Sequence, residues 1–417
     1  MPDRGPRESG TTGLPVRHPA SLVPAWGGGE AMKKANERLS VLILLMAFTG
    51  FTMGFPISNG SAQAAGESVL PAADKDYVVK LGYYNCDHMT AAPVAKDAGI
   101  FDELGLKVEV IGNAKVPEAM AAGQMDLGYI GFERTVRAYL KGCPIFIGAM
   151  NHLGGSYYLV LRNDIYEQYQ KDRRVLLGKK LALGTEPEKN SPEWVTFTGK
   201  IGLPPDGKNY ETFNMSDKDE FLAMKTGKLD GYTTCDPWGS MAEHDRSGRI
   251  VPEFTITRMP SGKWGACCVL SVNRNFAEAH PELARKMILA HSKAIQFIYT
   301  HPLRTAEIFA RNYSVPLEVA LMTIFRKTVA EDRTMRWDIH EENVREAVAW
   351  NLGTKTLDQA AATNDYTDTR YLREAGTEDF ERFIREKVDP VFPLGMSYPD
   401  WKKKAYAVEG KAFQAAL

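Results

Sequence analysis

A short unit occurs twice in this chain. Ala122-Gly123-Gln124-Met125-Asp126-Leu127-Gly128-Tyr129 and Thr226-Gly227-Lys228-Leu229-Asp230-Gly231-Tyr232 lie about 104 residues apart, the first with one extra residue before its second glycine. Each copy closes a helical stretch on Gly, turns through Asp and enters a short strand. Each strand then runs into a polar helix start, Gly131-Phe132-Glu133 in the first copy and Cys235-Asp236-Pro237-Trp238 in the second. Two equivalent units at this spacing call for two similar α/β lobes whose strand ends face each other.

The surrounding pattern agrees. β-branched and aromatic runs predict strands at 77–83, 107–111, 127–130 and 145–149, separated by helices at 91–101, 117–122 and 132–140. The middle of the chain repeats the alternation, with strands at 179–183, 210–214, 230–234 and 250–254 and helices at 193–200 and 217–226. Strands alternating with helices imply a largely parallel sheet covered on both faces. After Asn275 the period changes to that of amphipathic helices, at 276–299, 303–312, 317–329 and 341–352, with Pro281 and Pro302 placed as start and stop. The predicted fold class is therefore α/β, in two lobes, with a helical C-terminal portion. A length of 417 residues is more than one core usually grows to, which also favours two lobes.

Charge excludes some partners. The chain carries 51 Lys+Arg against 52 Asp+Glu, a formal charge of −1, so nothing favours nucleic acid or an anionic membrane. A hydrophobic share of 44% with 25% charged residues is that of a globular protein and rules out disorder and a polytopic membrane protein.

The N-terminus reads as a targeting segment. Lys33, Lys34 and Arg38 precede an apolar run at 39–48, and Ala62-Gln63-Ala64 before Ala65 supplies a small-residue cleavage site. Gly50, Gly54 and Pro56 break the apolar run well short of the ~20 residues a membrane span needs. Residues 32–64 are expected to be a signal peptide, and residues 1–31, Pro-, Gly- and Arg-rich without periodicity, an untranslated or disordered extension before Met32. All five cysteines, Cys86, Cys143, Cys235, Cys267 and Cys268, follow the cleavage site at a distance, so no lipid-anchoring cysteine is present. An odd count leaves at least one thiol unpaired in a monomer.

Several of these segments together resemble a known family. They are Leu81-Gly82-Tyr83-Tyr84-Asn85, Ala98-Gly99-Ile100-Phe101 with Gly105-Leu106-Lys107-Val108, and the first repeat with Gly131. Leu229-Asp230-Gly231 with Asp236-Pro237-Trp238, and His280-Pro281-Glu282 with His301-Pro302, complete the set. In this order they are similar to the solute-binding proteins of ABC importers in the nitrate, sulfonate, taurine and pyrimidine-precursor class, over roughly residues 78–312. The resemblance implies a two-lobed periplasmic-binding fold of type II, crossed twice by the chain, with ligand trapped in the cleft. The strands at 157–161 and 267–272 are expected to make the crossings, giving lobe 1 as 77–158 plus 267–417 and lobe 2 as 159–266. It further implies a diffusible, monomeric periplasmic protein whose partners are a small-molecule ligand and a membrane permease with its ATPase.

By the rule that ligands sit beyond the carboxyl ends of parallel strands, the first lobe offers Tyr83, Asn85, Cys86, Asp87, His88, Glu133, Asn151 and His152. The second offers Ser191, with Thr185 and Asn190 before it, and Cys235, Asp236 and Trp238. Asp87 and Glu133 equally suit helix N-termini, and Trp238 suits ligand stacking. Three carboxylates disfavour a plain oxyanion and favour a small polar molecule with an amine or amidine-like ring. Cys86, His88, His152 and Cys235 are metal-capable, but their spacing matches no zinc motif, so no metal or other cofactor is expected. Cys267-Cys268, in an apolar strand, reads as buried thiol. No Gly-x-Ser-x-Gly, His-Glu-x-x-His or Gly-rich phosphate loop occurs, and the expected role is binding rather than catalysis. Two alternatives stay open: an enzyme resembling the synthase of the thiamine pyrimidine precursor on the same fold, and a metal-binding import protein.

Overall fold

The computed structural model describes residues 70–84, 86–112, 115–154, 157–183, 191–254 and 264–414. The extension at 1–31, the signal peptide at 32–64 and its cleavage site, and the site candidates Asn85, Thr185 and Asn190 lie outside the described residues.

Among the described residues, ten strands form two sheets. They are β1 (Val78–Gly82), β2 (Lys107–Ile111), β3 (Leu127–Gly131), β4 (Ile145–Leu153), β5 (Tyr157–Arg162), β6 (Lys180–Ala182), β7 (Glu211–Phe213), β8 (Gly231–Cys235), β9 (Gly248–Ile250) and β10 (Ala266–Asn273). The first sheet has the order β2-β1-β3-β10-β4 and the second β7-β6-β8-β5-β9. Superposing the two orders makes β1 equivalent to β6, β2 to β7, β3 to β8, β4 to β9, and β10 to β5. Within each sheet the first three strands are parallel, and the fourth runs antiparallel to both its neighbours. That reversed strand is the one contributed after the chain has crossed from the other sheet. It enters from the cleft side, which is why its direction is opposite.

The crossings fall between β4 and β5 and between β9 and β10. The strands expected to cross thus each belong wholly to the sheet they have reached.

The repeated turn does the same work twice. Asp126 N donates to Lys80 O at 3.0 Å, and the Asp126 carboxylate accepts from Lys80 N at 2.8 Å. Asp230 N donates to Lys180 O at 2.8 Å, and its carboxylate accepts from Lys180 N at 3.0 Å. Each aspartate pins the start of its strand to the parallel neighbour. Gly123 and Gly227, both with positive φ near 70°, end the preceding helices in the left-handed conformation that glycine adopts without strain.

Five elements differ from the sequence expectation. The helix expected at 91–101 ends at Asp97, and a short helix, Ile100–Glu103, follows Gly99 in the left-handed conformation. The strand expected at 250–254 is β9 at Gly248–Ile250 followed by a single turn at Pro252–Phe254, since Pro252 has no N–H to extend a ladder. β4 runs on to Leu153 because β10 pairs with it along its length, so Asn151 and His152 are strand residues rather than part of a following loop. The helix expected at 276–299 breaks at His280, and a new helix, Pro281–Thr300, starts at the proline. The helix from Leu317 ends at Phe325 in a π-helical turn, Arg326–Ala330. Such turns recur at functional sites because they re-aim side chains.

The C-terminal helices pack largely on the first sheet, where Ile288, Ile295, Ile298, Phe309 and Trp401 join β1, β3 and β10 residues in one apolar core. A separate core around Leu159, Leu161, Trp194 and Phe254 holds the second sheet. Among the described residues, no helix is long and apolar enough to cross a membrane.

Candidate ligand site at the junction of the two sheets

The loop after β1 carries Cys86, Asp87 and His88 into a single turn that leads to the helix Ala91–Asp97. The end of β8 carries Cys235 and Asp236 into the helix Trp238–His244. These loops from different sheets touch directly, Asp87 N donating to Asp236 O at 3.1 Å. Asp87, His88, His152 and Asp236 are all buried here. Asn151 donates to His88 O at 2.6 Å and Tyr313 OH to Cys86 O at 2.8 Å, so β4 and the C-terminal helices hold the loop from beneath.

Four of the five cysteines meet at His88. Its Nδ1 lies 3.6 Å from Cys267 Sγ, 3.6 Å from Cys268 Sγ and 4.0 Å from Cys235 Sγ. Cys267 and Cys268 sulfurs are 3.5 Å apart. Cys86 joins Asp87, His88 and Cys235 in a group whose donor atoms all lie within 4.8 Å of one another. The His88 ring stacks on His152, centroids 4.2 Å apart. Cys267 and Cys268 therefore belong to the site, correcting their assignment as merely buried thiols. β10 delivers both because a bulge between Ala266 and Val269 disturbs the strict alternation of faces there.

Two cations from the π-helical turn answer the buried aspartates. Lys327 Nζ is 2.7 Å from Asp87 Oδ2, with both side chains fully buried, and 3.2 Å from His152 Nε2. Arg326 reaches Asp236 at 3.4 Å, Ser240 Oγ at 2.6 Å and Glu243 at 2.6 Å. Asp236 also accepts from Ser240 N and Oγ, each at 2.8 Å. The basic groups that the carboxylates require are thus supplied by the protein itself. Sequence reasoning missed both. Lys327 falls three residues after Ile324 and seven after Ala320, in the apolar register of its helix, and a lysine in that register is the signal that it is buried against a partner.

Protonation follows from this packing. Burial alone would raise the Cys86 thiol, but its hydrogen bond with Cys235 and the positive charges of His88 and Lys327 draw it well below the usual range. The hydrogen bond with Cys268 draws Cys267 down, helped against burial by His88 and His152. Their partners Cys235 and Cys268 are pushed up, so the thiols divide into two acidic and two proton-retaining members. Burial would lower His88, yet Asp87 and the two acidic sulfurs hold it well above an ordinary histidine. His152, buried beside Lys327 and His88, is driven well below, and stays neutral. Burial lowers Lys327, but Asp87 more than offsets it.

The remaining predicted residues are placed as follows. Tyr83 is buried with its ring against Gly112, while the neighbouring Tyr84 lies toward Cys86 and Cys268 with Arg134 over its ring at 5.8 Å. Glu133 sits in the first turn of the helix Phe132–Leu140, ion-paired to Arg137. Ser191 caps the helix Pro192–Ile201 by accepting from Trp194 N at 3.2 Å. Two residues on, Glu193 comes within electrostatic reach of Cys267 and Glu133, and burial raises its carboxyl to about 7. Trp238 packs against Phe221, centroids 5.7 Å apart, in the second lobe's apolar cluster.

A model of the NMT1-like family matches residues 72–311, more than half of the chain. The chain belongs to the NMT1-like family. Among curated protein sequences none matches. Solved structures share the fold: the ligand-binding component of an ABC-type import system from Staphylococcus aureus with zinc bound has 14% identity and a TM-score of 0.58, over 72% of this chain and 99% of that one. The alkanesulfonate-binding protein SsuA from Xanthomonas axonopodis pv. citri, bound to MOPS, has 15% identity and a TM-score of 0.55, over 72% and 100%. The periplasmic nitrate-binding protein NrtA from Synechocystis PCC 6803 has 16% identity and a TM-score of 0.56, over 79% and 98%. The two-lobed fold of this NMT1-like protein is thus that of periplasmic binding proteins.

Proposed function

We propose that this protein is the solute-binding component of an ABC import system, capturing a small polar ligand between its lobes and delivering it to a membrane permease with its ATPase. The carrying observation is the direct contact of Asp87 with Asp236, which joins the strand-end loops of two equivalent sheets into one buried site. A ligand that contacts both loops is differentially bound by the closed arrangement, and differential binding is what drives hinge closure. Lobe 1 is then built on the first sheet and lobe 2 on the second, which moves Tyr157 and Tyr158 to lobe 2 and Ala266 to lobe 1 relative to the expected division at 158/159 and 266/267. The basic-then-apolar segment at 33–48 and the Ala62-Gln63-Ala64 site support export to the periplasm with cleavage after Ala64.

The test combines mass spectrometry of whatever is released from the purified protein with small-angle scattering before and after adding it back. Compaction on re-addition is expected. A radius of gyration that no released or supplied small molecule changes would refute capture. N-terminal sequencing of exported protein should begin at Ala65, and a product retaining 39–48 would refute cleavage.

A second reading, catalysis at the same site, has one observation in its favour. Cys267 Sγ lies 3.6 Å from His88 Nδ1, a thiol beside an imidazole, the pairing that activates sulfur nucleophiles. Conversion of the released ligand, rather than its unchanged recovery, would select that reading.

A further inference from the structure

The geometry points to a thiophilic metal ion, Zn2+ or Cu+, as the ligand of this junction, held by His88, Cys267, Cys268 and a cysteine of the facing loops. The inference rests on the capture reading above and names its ligand class. An ion bound to sulfur at about 2.3 Å and to nitrogen at about 2.0–2.1 Å, with tetrahedral angles, sets S···N edges of about 3.6 Å and S···S edges of about 3.8 Å. The observed edges are 3.6 Å from His88 Nδ1 to each of Cys267 and Cys268, and 3.5 Å between the two sulfurs. These three atoms already outline one face of a coordination tetrahedron.

The fourth corner comes from across the cleft. Cys235 Sγ is 4.0 Å from the same Nδ1, and it belongs to β8 of the second sheet, whereas His88 follows β1 and Cys267 and Cys268 lie on β10 of the first. Cys235 groups with Cys86, Asp87 and His88, and Cys267 and Cys268 group with His88, so His88 is the member common to both sets, and Cys235 is the donor that the second sheet brings to it. Because the donor set is divided between lobes, opening the cleft dismantles it and closing completes it, which is the property a transported ion requires. The supporting shell is also in place. Asn151 holds the His88 carbonyl at 2.6 Å, His152 stacks on the ring at 4.2 Å, and the Lys327 charge that would repel a cation is answered by Asp87 at 2.7 Å. Thiolate and imidazole donors select soft and borderline ions over Mg2+ or Ca2+.

The test uses the full exported chain, purified under reducing conditions, with Co2+ as a spectroscopic probe and Zn2+ as competitor. One cobalt per chain with sulfur-to-cobalt charge-transfer absorption is expected, displaced by Zn2+, and Zn2+ should compact the protein in small-angle scattering. Cys267→Ser and Cys235→Ser should each weaken metal binding about a hundredfold or more. Cys143→Ser should leave it unchanged, because Cys143 lies in a separate apolar cluster with Val116, Met120 and Ile145. Thermal melts of the serine variants, with Cys267→Ala as a second form, check that folding is retained. Absence of the charge-transfer band, or a band insensitive to both cleft variants, overturns the metal while leaving capture of another ligand standing, provided an organic solute compacts the chain. A band that the variants abolish, with no compaction by any solute, overturns the metal as cargo and the capture reading with it.

Discussion

β3 and β8 begin alike and end differently. At their starts Asp126 and Asp230 make the same pair of contacts to Lys80 and Lys180, at distances that agree within 0.2 Å. At their ends, β3 leads into Glu133, paired along its own helix with Arg137, whereas β8 leads into Cys235 and Asp236, which meet His88 and Arg326 from other parts of the chain. The starts hold the fold and are free to stay the same. The carboxyl ends of β1 and β8 meet at the junction of the two sheets together with the amino end of the reversed strand β10, and there the two halves differ, concentrating sulfur and buried charge.

The comparison breaks most visibly at Lys327. Lys327→Met leaves Asp87 buried without its cation and should cost about 3–5 kcal/mol in urea denaturation, with the Asp87→Asn, Lys327→Met pair recovering part of the loss. A single variant as stable as the parent would mean that the cleft end carries no such charge.

A second contrast sets the cleft histidine against one deep in the first lobe. His291 is buried, with Nδ1 at 2.9 Å from Tyr129 OH and Nε2 at 2.6 Å from Met150 O, and burial lowers it to about 4. Its native pKa is below the unfolded value of about 6.5, so the unfolded chain takes up the proton first. The stability His291 contributes is complete above the unfolded pKa and is lost as pH falls toward 4, up to about 3 kcal/mol at about 1.4 kcal/mol per unit. His291→Gln should flatten this limb of the stability profile, measured by denaturation across pH. An unchanged limb would assign the acid sensitivity elsewhere.

At the shared turns, Asp126→Ala and Asp230→Ala should each cost about 1–3 kcal/mol, add when combined, and leave ligand affinity untouched. Unequal losses, or altered affinity from either, would show that the two turns are not equivalent scaffold. The smallest effect on stability is expected at the diverged ends themselves. Glu133→Gln removes an i,i+4 pair worth about 0.3–0.5 kcal/mol and should not change binding, while Cys235→Ser should be nearly as stable as the parent and lose ligand. Equal binding losses from both would place the site symmetrically across the cleft.

The type and order of most elements were legible in the sequence because they depend on local periodicity and on Gly, Asp and Pro chemistry. The Gly123–Asp126 and Gly227–Asp230 turns are self-contained within a few residues, and so is the alternation that surrounds them. The same local signals located Cys86, Asp87, His88, Cys235 and Asp236 at strand ends. They failed at β4, whose extension to Leu153 depends on pairing with β10 more than a hundred residues later, and at the break at His280.

What the sequence by itself determined is the two-fold plan, the alternating elements and the strand-end positions of the two loops that meet at the junction. What only the tertiary structure decided is the company those loops keep. Cys267 and Cys268 are an apolar-strand pair in one dimension and neighbours of His88 in three. Lys327 is an oddly placed lysine on a helix until Asp87, 240 residues before it, is 2.7 Å away. Propensity and pattern act over one or two turns of chain, whereas a thiol's acidity and a buried charge's partner are set by whichever segments the fold packs against them.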